Sequence, residues 1–410
     1  EMKPHYSHLC CPSVCPELMM RMLIVGYCYS IRSERRLCDD VKINLAYRWF
    51  CGLGLEDRVP HHSTFSVNRH GRFRDSDLLR KVFEDVVCGC MKAGLVGGEG
   101  FAVDASVIEA DASRFQRVKG SEVDWTQEQR NSRPVQEYLN ALESDNPPIN
   151  PDQKPKAMSP SDPTAAWTTR GRHKVMFGYS LNYLMDMEGA VIVDVEATPT
   201  RISKEVDATE IMLERTEDRF GLKPGRIAGD VAYGTGEMLG WLVERKIDPH
   251  IPVWDQSKVA PEGKFTRADF TYDKDRDVYT CPDGNLLTTS GRVDKTSTLK
   301  YLAKRSDCAK CPLKSKCTTG RERRVSRDVN QDARDYTQTL METDAYVSSS
   351  IQRKQIERLF GEAKHLHAMV RLRLRGLSGA KDEFLLTATI QNLKRLASIV
   401  SLPPPRTAIA

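Results

Sequence analysis

The chain has 410 residues, enough for two or three domains with a sizeable core, and its 61 lysines and arginines outnumber its acids by only five. Such mild basicity permits a polyanionic partner without demanding one. The longest apolar run, Met22 to Tyr29, is too short to span a bilayer and no signal-peptide pattern precedes it, so a cytoplasmic protein without a membrane partner is expected.

Helical periodicity dominates from Pro16 to about Asn68. Leu18, Met19, Met22, Leu23 and Val25 recur at helical spacing behind Pro16. A second helix is expected from Ser33 and closes at Leu45–Phe50, before Gly52 and Gly54 break the run. A third starts near Pro60, with Ser63 as the candidate N-cap, and carries Asn68, Arg69, His70, Arg72 and Arg74. Exposed arginine and asparagine on the last helix of a small helical domain suit a helix-turn-helix DNA reader, with Arg69 and Arg72 as contacts; a plain bundle with a solvated basic face fits equally. A connecting helix follows from Leu78 to Ala93.

Phe101-Ala102-Val103-Asp104 reads as a buried strand ending in an acid. Residues 114–162 are polar and proline-rich late on, helical around Gln127 to Glu143 and then a loose linker. Val175–Leu184 and Ala190–Val195 read as a hairpin, Lys204–Phe220 as an amphipathic helix, and Arg226–Asp230 as another strand ending in an acid. Glu237–Arg245 is helical and His250–Val253 a short strand, which together give a mixed α/β core. Near the C-terminus, the alternation in Val370–Arg375 predicts one basic and one apolar side, and Phe384–Ile399 predicts a helix that packs on the core.

Arg353, Glu357 and Lys364 are offset by 0, 4 and 11 positions in a helical segment, and so lie within roughly 40° of one another around its axis. One carboxylate thus sits between two cations on a single stripe, either as a surface ion pair or as a metal-binding acid flanked by phosphate-binding groups. The neighbouring Glu362 is rotated roughly 140° from Glu357. Asp104 and Asp230 at strand ends, with Glu357 on a later helix, form a set of oxygen ligands suited to Mg²⁺ or Mn²⁺ and to two-metal phosphoryl transfer.

These residues resemble those of bacterial insertion-sequence transposases of the DDE class. The resemblance covers nearly the whole chain. It is carried by Arg32-Ser33-Glu34-Arg35-Arg36-Leu37, Leu45-Ala46-Tyr47-Arg48-Trp49-Phe50, His62-Ser63-Thr64-Phe65-Ser66, Val103-Asp104-Ala105-Ser106, Ser159-Pro160-Ser161-Asp162-Pro163, Gly229-Asp230-Val231-Ala232-Tyr233-Gly234 and the R-x3-E-x6-K signature at Arg353, Glu357 and Lys364. It implies a ribonuclease-H-like mixed sheet flanked by helices, with an N-terminal all-helical DNA-binding domain and a Cys-rich insertion. The implied boundaries are 1–95 for the helical domain, 96–260 for the first part of the core, 261–330 for the insertion and 331–400 for the part carrying the glutamate. It further implies Asp104, Asp230 and Glu357 as the metal-binding triad, with Arg353 and Lys364 touching DNA near the cleaved phosphate. The implied partners are double-stranded DNA, as element inverted repeats and target, and a second copy of the chain in a nucleoid-associated dimer. Ser350 stands where the family usually has tyrosine, His61 where it has aspartate, and Cys10-Cys11-Pro12-Ser13-Val14-Cys15-Pro16-Glu17 where it has a Gly-Arg-Pro-Ser-x-Asp-Pro-Glu pattern. Two alternatives share these residues: a catalytically weak DNA-binding relative, and a metal-dependent nuclease without strand transfer.

Eight of the twelve cysteines lie up to Cys90 and four between Cys281 and Cys317. Such clustering points away from a disulfide framework. Cys281, Cys308, Cys311 and Cys317 have a C-x26-C-x2-C-x5-C spacing in a polar stretch, 263–319, that is expected to build little core of its own, so a structural Zn²⁺ is expected there. For Cys10, Cys11 and Cys15 no metal is expected. Trp254, after a strand at the edge of this region, is a candidate for stacking on a DNA base, or else a packed core residue.

Overall fold

The computed structural model describes residues 14–143, 155–170, 174–200, 202–253 and 263–399. It divides into two compact units, one running to Pro224 and resuming at Gln352, the other spanning Gly225–Ile351.

The first unit begins with six helices. Helix α1 (Pro16–Cys28) has proline in its first turn, and buries Met19, Met22, Leu23 and Val25 as the periodicity predicts. Ser33 caps α2 (Glu34–Ile43) by accepting the Arg36 N–H. The expected continuation to Phe50 is instead a separate helix, α3 (Leu45–Cys51). Asn44 is extended and its side-chain oxygen accepts the N–H groups of Ala46 and Tyr47 at 3.0 and 3.2 Å, which ends one helix and starts the next. Helices α4 (Ser63–His70), α5 (Arg72–Asp75) and α6 (Leu78–Lys92) follow.

Strand β1 (Gly100–Glu109) runs five residues beyond Asp104, so this acid is mid-strand rather than at a strand end. After the short helices α7 (Gln127–Arg130) and α8 (Arg133–Leu142) come β2 (Ala166–Arg170), β3 (Lys174–Asp186) and β4 (Ile192–Pro199). The predicted hairpin is β3–β4, while β2 has no counterpart in the sequence reading. The 13-residue β3 is the axis of the sheet: β1 pairs along one edge, and β2 and then β4 share the other, all antiparallel. Nor is the linker loose throughout, because Asp162 is fully buried and accepts a 2.6 Å hydrogen bond from the Tyr179 hydroxyl on β3. Helix α9 (Ile202–Phe220) packs against β3 and β4.

The second unit holds β5 (Arg226–Ala228), α10 (Gly236–Glu244) and β6 (Asp248–His250), the two strands being parallel. Strands β7 (Thr271–Asp273), β8 (Val278–Thr280), β9 (Leu286–Thr289), β10 (Thr298–Ala303) and β11 (Arg324–Asp328) then form an antiparallel meander. Helices α11 (Arg305–Lys310) and α12 (Lys314–Cys317) lie between β10 and β11. This stretch does build a small core, contrary to expectation: Phe270, Tyr279, Leu287, Tyr301, Ala303 and Val325 are buried together. Its aromatic rings supply large apolar area from few residues, which overall polarity hid. Helix α13 (Gln331–Leu340) packs on α10, and α14 (Asp344–Leu366) then leads the chain back into the first unit, where α15 (Gly376–Ile399) covers β4 and α6.

Polar groups tie these layers together. Asp194 on β4 bonds Arg80 of α6 at 2.5 Å and Arg215 of α9 at 2.7 Å, with Arg80 and Asp194 both buried. The Asn392 side chain of α15 accepts the Ile192 N–H and donates to the Ile192 carbonyl, completing the end of β4.

Asp194→Ala is expected to destabilise the protein by about 3–5 kcal/mol in denaturant unfolding, because it strands a buried guanidinium. A second expectation concerns pH. Burial pushes Asp162 up to about 6, against the pull of its bonds from Tyr179 and the Gly376 backbone, and Asp382 is likewise raised to about 6 by burial. Between roughly pH 4 and 6 the folded state therefore holds protons that the unfolded state has released, and stability falls as pH rises through this window. Asp162→Asn still accepts the Tyr179 hydroxyl. It should reduce that slope by up to about 3 kcal/mol across the window, read from urea melts at pH 4, 5, 6 and 7.

Candidate active site

Asp104 and Ser106 project from the same face of β1, two residues apart. Directly across the ladder from Asp104 stands Tyr183 of β3. The Phe360 ring of α14 stacks on Tyr183 with centroids 4.9 Å apart and planes 11° from parallel. Gln391 of α15 clamps the arrangement, accepting from the Tyr183 hydroxyl and donating to the Leu359 carbonyl, both at 2.8 Å. Helix α14 is seated by Ile356, Leu359, Phe360 and Ala363, all buried at helical spacing. Its predicted stripe consequently meets β1. Arg353 Nη1 lies 3.5 Å from Asp104 Oδ2, and Lys364 Nζ donates to Ser106 Oγ at 2.5 Å.

Two cations eleven residues apart on the helix thus reach positions only two residues apart on the strand. Glu357 lies between them on the stripe and is exposed. Asp104 keeps about a fifth of its side chain accessible, and its Oδ1 accepts the Ala105 N–H at 2.8 Å. The Val103–Ser106 motif by itself gives Ser106 no role; the period-two spacing from Asp104 is the signal for it.

Asp230 belongs to the second unit. The expected strand ends at Ala228, two residues before it, and the Asp230 Oδ1 accepts the Ala232 N–H at 2.8 Å, capping a short 3₁₀ turn, Val231–Tyr233. Gly234 ends this turn because a Cβ there would come within 2.9 Å of the Pro252 carbonyl oxygen. The turn is also held by Arg334 of α13, which donates to the Gly234 carbonyl at 3.1 Å.

The four clustered cysteines are free thiols, each partly buried. Cys281, Cys308 and Cys317 pack on the small aromatic core of the meander. Tight turns position the cluster, with the Gly284 N–H bonded to the Cys281 carbonyl and the Lys314 N–H to the Cys311 carbonyl. Burial raises the Cys317 thiol, Arg323 opposes this, and Cys308, Cys281 and Cys311 add to the rise. Among the described residues, no three histidine, cysteine, aspartate or glutamate side chains gather as a ready-formed metal site.

The N-terminal helices correct two expectations. Ser63 is the first residue of α4 rather than its cap; its hydroxyl bonds His61 Nδ1 at 2.7 Å. Asn68 and Arg69 are 3% and 5% exposed, so α4 does not present them to DNA. The Arg69 guanidinium is paired with Glu34 in the first turn of α2, and the Asn68 side chain donates to the Thr64 carbonyl. Arg72 lies on α5, partly buried, with Nη1 3.4 Å from Asn68 Oδ1. Trp254, Cys10 and Cys11 lie outside the described residues.

A family model described as a transposase domain (DUF772) matches residues 1–71, and one described as a transposase DDE domain matches residues 280–397. The second takes in the four cysteines and the Arg353/Glu357/Lys364 stripe, while Asp104 and Asp230 precede it. No curated protein and no solved structure matches the chain. A transposase domain model thus matches the N-terminal end and a transposase DDE domain model a stretch towards the C-terminal end, a pair consistent with an insertion-sequence DDE transposase.

Proposed function

We propose that the protein cuts DNA at the inverted-repeat ends of an insertion sequence and joins the resulting 3′-hydroxyls to target DNA, on a ribonuclease-H-like core. The observation that carries this reading is the stripe of α14 laid on β1, with Arg353 at Asp104, Lys364 at Ser106 and Glu357 between them.

Asp104, Asp230 and Glu357 would hold the divalent cations. The donor set suits Mg²⁺ or Mn²⁺: three hard carboxylates, of which Asp104 is partly buried and Glu357 exposed to solvent. Bound there, the ions would supply activation of the attacking hydroxyl and charge stabilisation at the leaving oxygen. Arg353 offsets the charge of Asp104 at a distance long enough to be exchanged, and can turn its fork to a phosphate oxygen. Lys364 holds a point charge beside the same strand, and its bond to Ser106 sets where that charge stands. The DNA end and the target are the substrates, held by a dimer of the chain. Arg72 remains a candidate backbone contact.

For the cysteine cluster we propose a structural Zn²⁺ held by Cys281, Cys308, Cys311 and Cys317. Soft thiolates on tight turns suit zinc, and a core of six residues leaves a small domain in need of a further restraint.

Strand transfer from a duplex carrying the element end into plasmid DNA should require Mg²⁺ or Mn²⁺. Asp230→Asn and Glu357→Gln should each lower it by about 10³-fold or more, the equivalent of about 4 kcal/mol of barrier. Cleavage without joining would make the protein a nuclease instead, and binding without cleavage a DNA-binding relative. Elemental analysis should find one zinc per chain, lost in Cys308→Ser along with a lowered melting temperature; metal-free protein that melts at the same temperature would remove the zinc site.

A further inference from the structure

An open groove of about 840 Å³ on the first unit runs between the chain entering α2 and the chain leaving α14. One wall contains Ser33 and Arg36; the other contains Lys364, His365, Arg371 and Arg373. Asp111 is the acid in the lining, 3.0 Å from Arg371. The walls are set by buried bonds. Arg32 pairs with Glu383 of α15 and donates to the carbonyls of Ala368 and Arg371, both at 2.8 Å. Glu383 in turn accepts the N–H groups of Arg373 and Leu374 at 2.7 and 2.6 Å. Leu372 is buried while Arg371 and Arg373 are exposed, as the alternation in Val370–Arg375 predicts.

We propose that this groove seats the phosphate backbone of double-stranded DNA on its way to the α14 stripe, an inference that rests on the transposase reading. Three observations support it. The lining is cationic, and one of its cations, Lys364, also belongs to the stripe and bonds Ser106, two residues along β1 from Asp104. The two walls come from the two segments that match transposase domains, one from each. Among the described residues, the lining has no phenylalanine, tyrosine or tryptophan on which an unstacked base could lie, which favours the outside of a duplex over a single strand. Arg36 has a surface contact to Asp40 at 3.4 Å that it can exchange for a phosphate.

The test uses the full chain, a fluorescent 30-base-pair duplex of arbitrary sequence and a single-stranded oligonucleotide of the same length, titrated across NaCl concentrations. Arg36→Ala/Arg373→Ala should bind duplex roughly 10- to 100-fold more weakly in 100 mM salt. The slope of log K against log[NaCl] should become shallower by about 2, since each lost phosphate contact removes about 0.9. Lys81→Ala/Lys223→Ala, with the same loss of charge elsewhere on this unit, should bind as the parent does. Both pairs are exposed, and circular dichroism should show parental melting. If the groove variant binds duplex like the parent, or the two pairs lose equally, the groove assignment is overturned while the transposase reading stands. A larger loss for the single strand than for the duplex overturns the choice of duplex. Failure of the parent to bind duplex in low salt overturns both.

Discussion

A single buried ion pair, Arg32 with Glu383, joins parts of the first unit that are far apart in the chain. Taking both charges out of water is costly, and the attraction between them offsets that only when their remaining bonding capacity is filled. Here it largely is: the arginine also bonds two carbonyls, and the glutamate also takes two backbone N–H groups. The chain between α1 and α2, the segment after α14, and α15 are thereby fixed to one another. The exposed arginines at 371 and 373 are held in place by a neighbour that is itself inaccessible.

The same division of labour recurs at the candidate site. The groups suited to chemistry, Asp104, Glu357, Arg353 and Lys364, are at least partly exposed, while those that place them are buried. Phe360 on Tyr183 and Gln391 between Tyr183 and Leu359 decide which face of α14 meets β1. The phenol of Tyr183 is pushed far up by burial, so it remains a neutral donor to Gln391. Apolar and neutral contacts set the geometry, leaving the charged groups able to exchange partners.

In the second unit the meander is modest in apolar content but dense in aromatic contact. Tyr272, Tyr279 and Tyr301 lie with ring centroids 5.0 to 6.1 Å apart, and the Arg327 guanidinium stands 3.9 Å from the Tyr272 centroid. Three thiols border this cluster, so the aromatic core and the proposed thiolate site would stiffen the same few turns.

What the sequence determined by itself was whatever depends on neighbours within a turn or two. The stripe of Arg353, Glu357 and Lys364, the hairpin turn at 186–189, the helix of 204–220 and the alternation at 370–375 were all legible, because 3.6- and 2-residue periods are local properties. Asp104 and Asp230 are candidates from their places at the ends of apolar runs, and the resemblance joins them with Glu357 as one triad. Tertiary structure decided the rest. Asp104 is mid-strand because β3 is long enough to pair β1 past it, which the run ending at Asp104 does not reveal. Arg69 looked like a DNA contact until Glu34, 35 positions away, took it out of solvent. Ser106 gained a role only once α14 brought Lys364 to it, and the basic groove exists only because a buried pair 351 positions apart draws its two walls together. Periodicity tells which face of an element is apolar; which charged group the fold places opposite that element depends on contacts between residues hundreds of positions apart, and no local pattern encodes them.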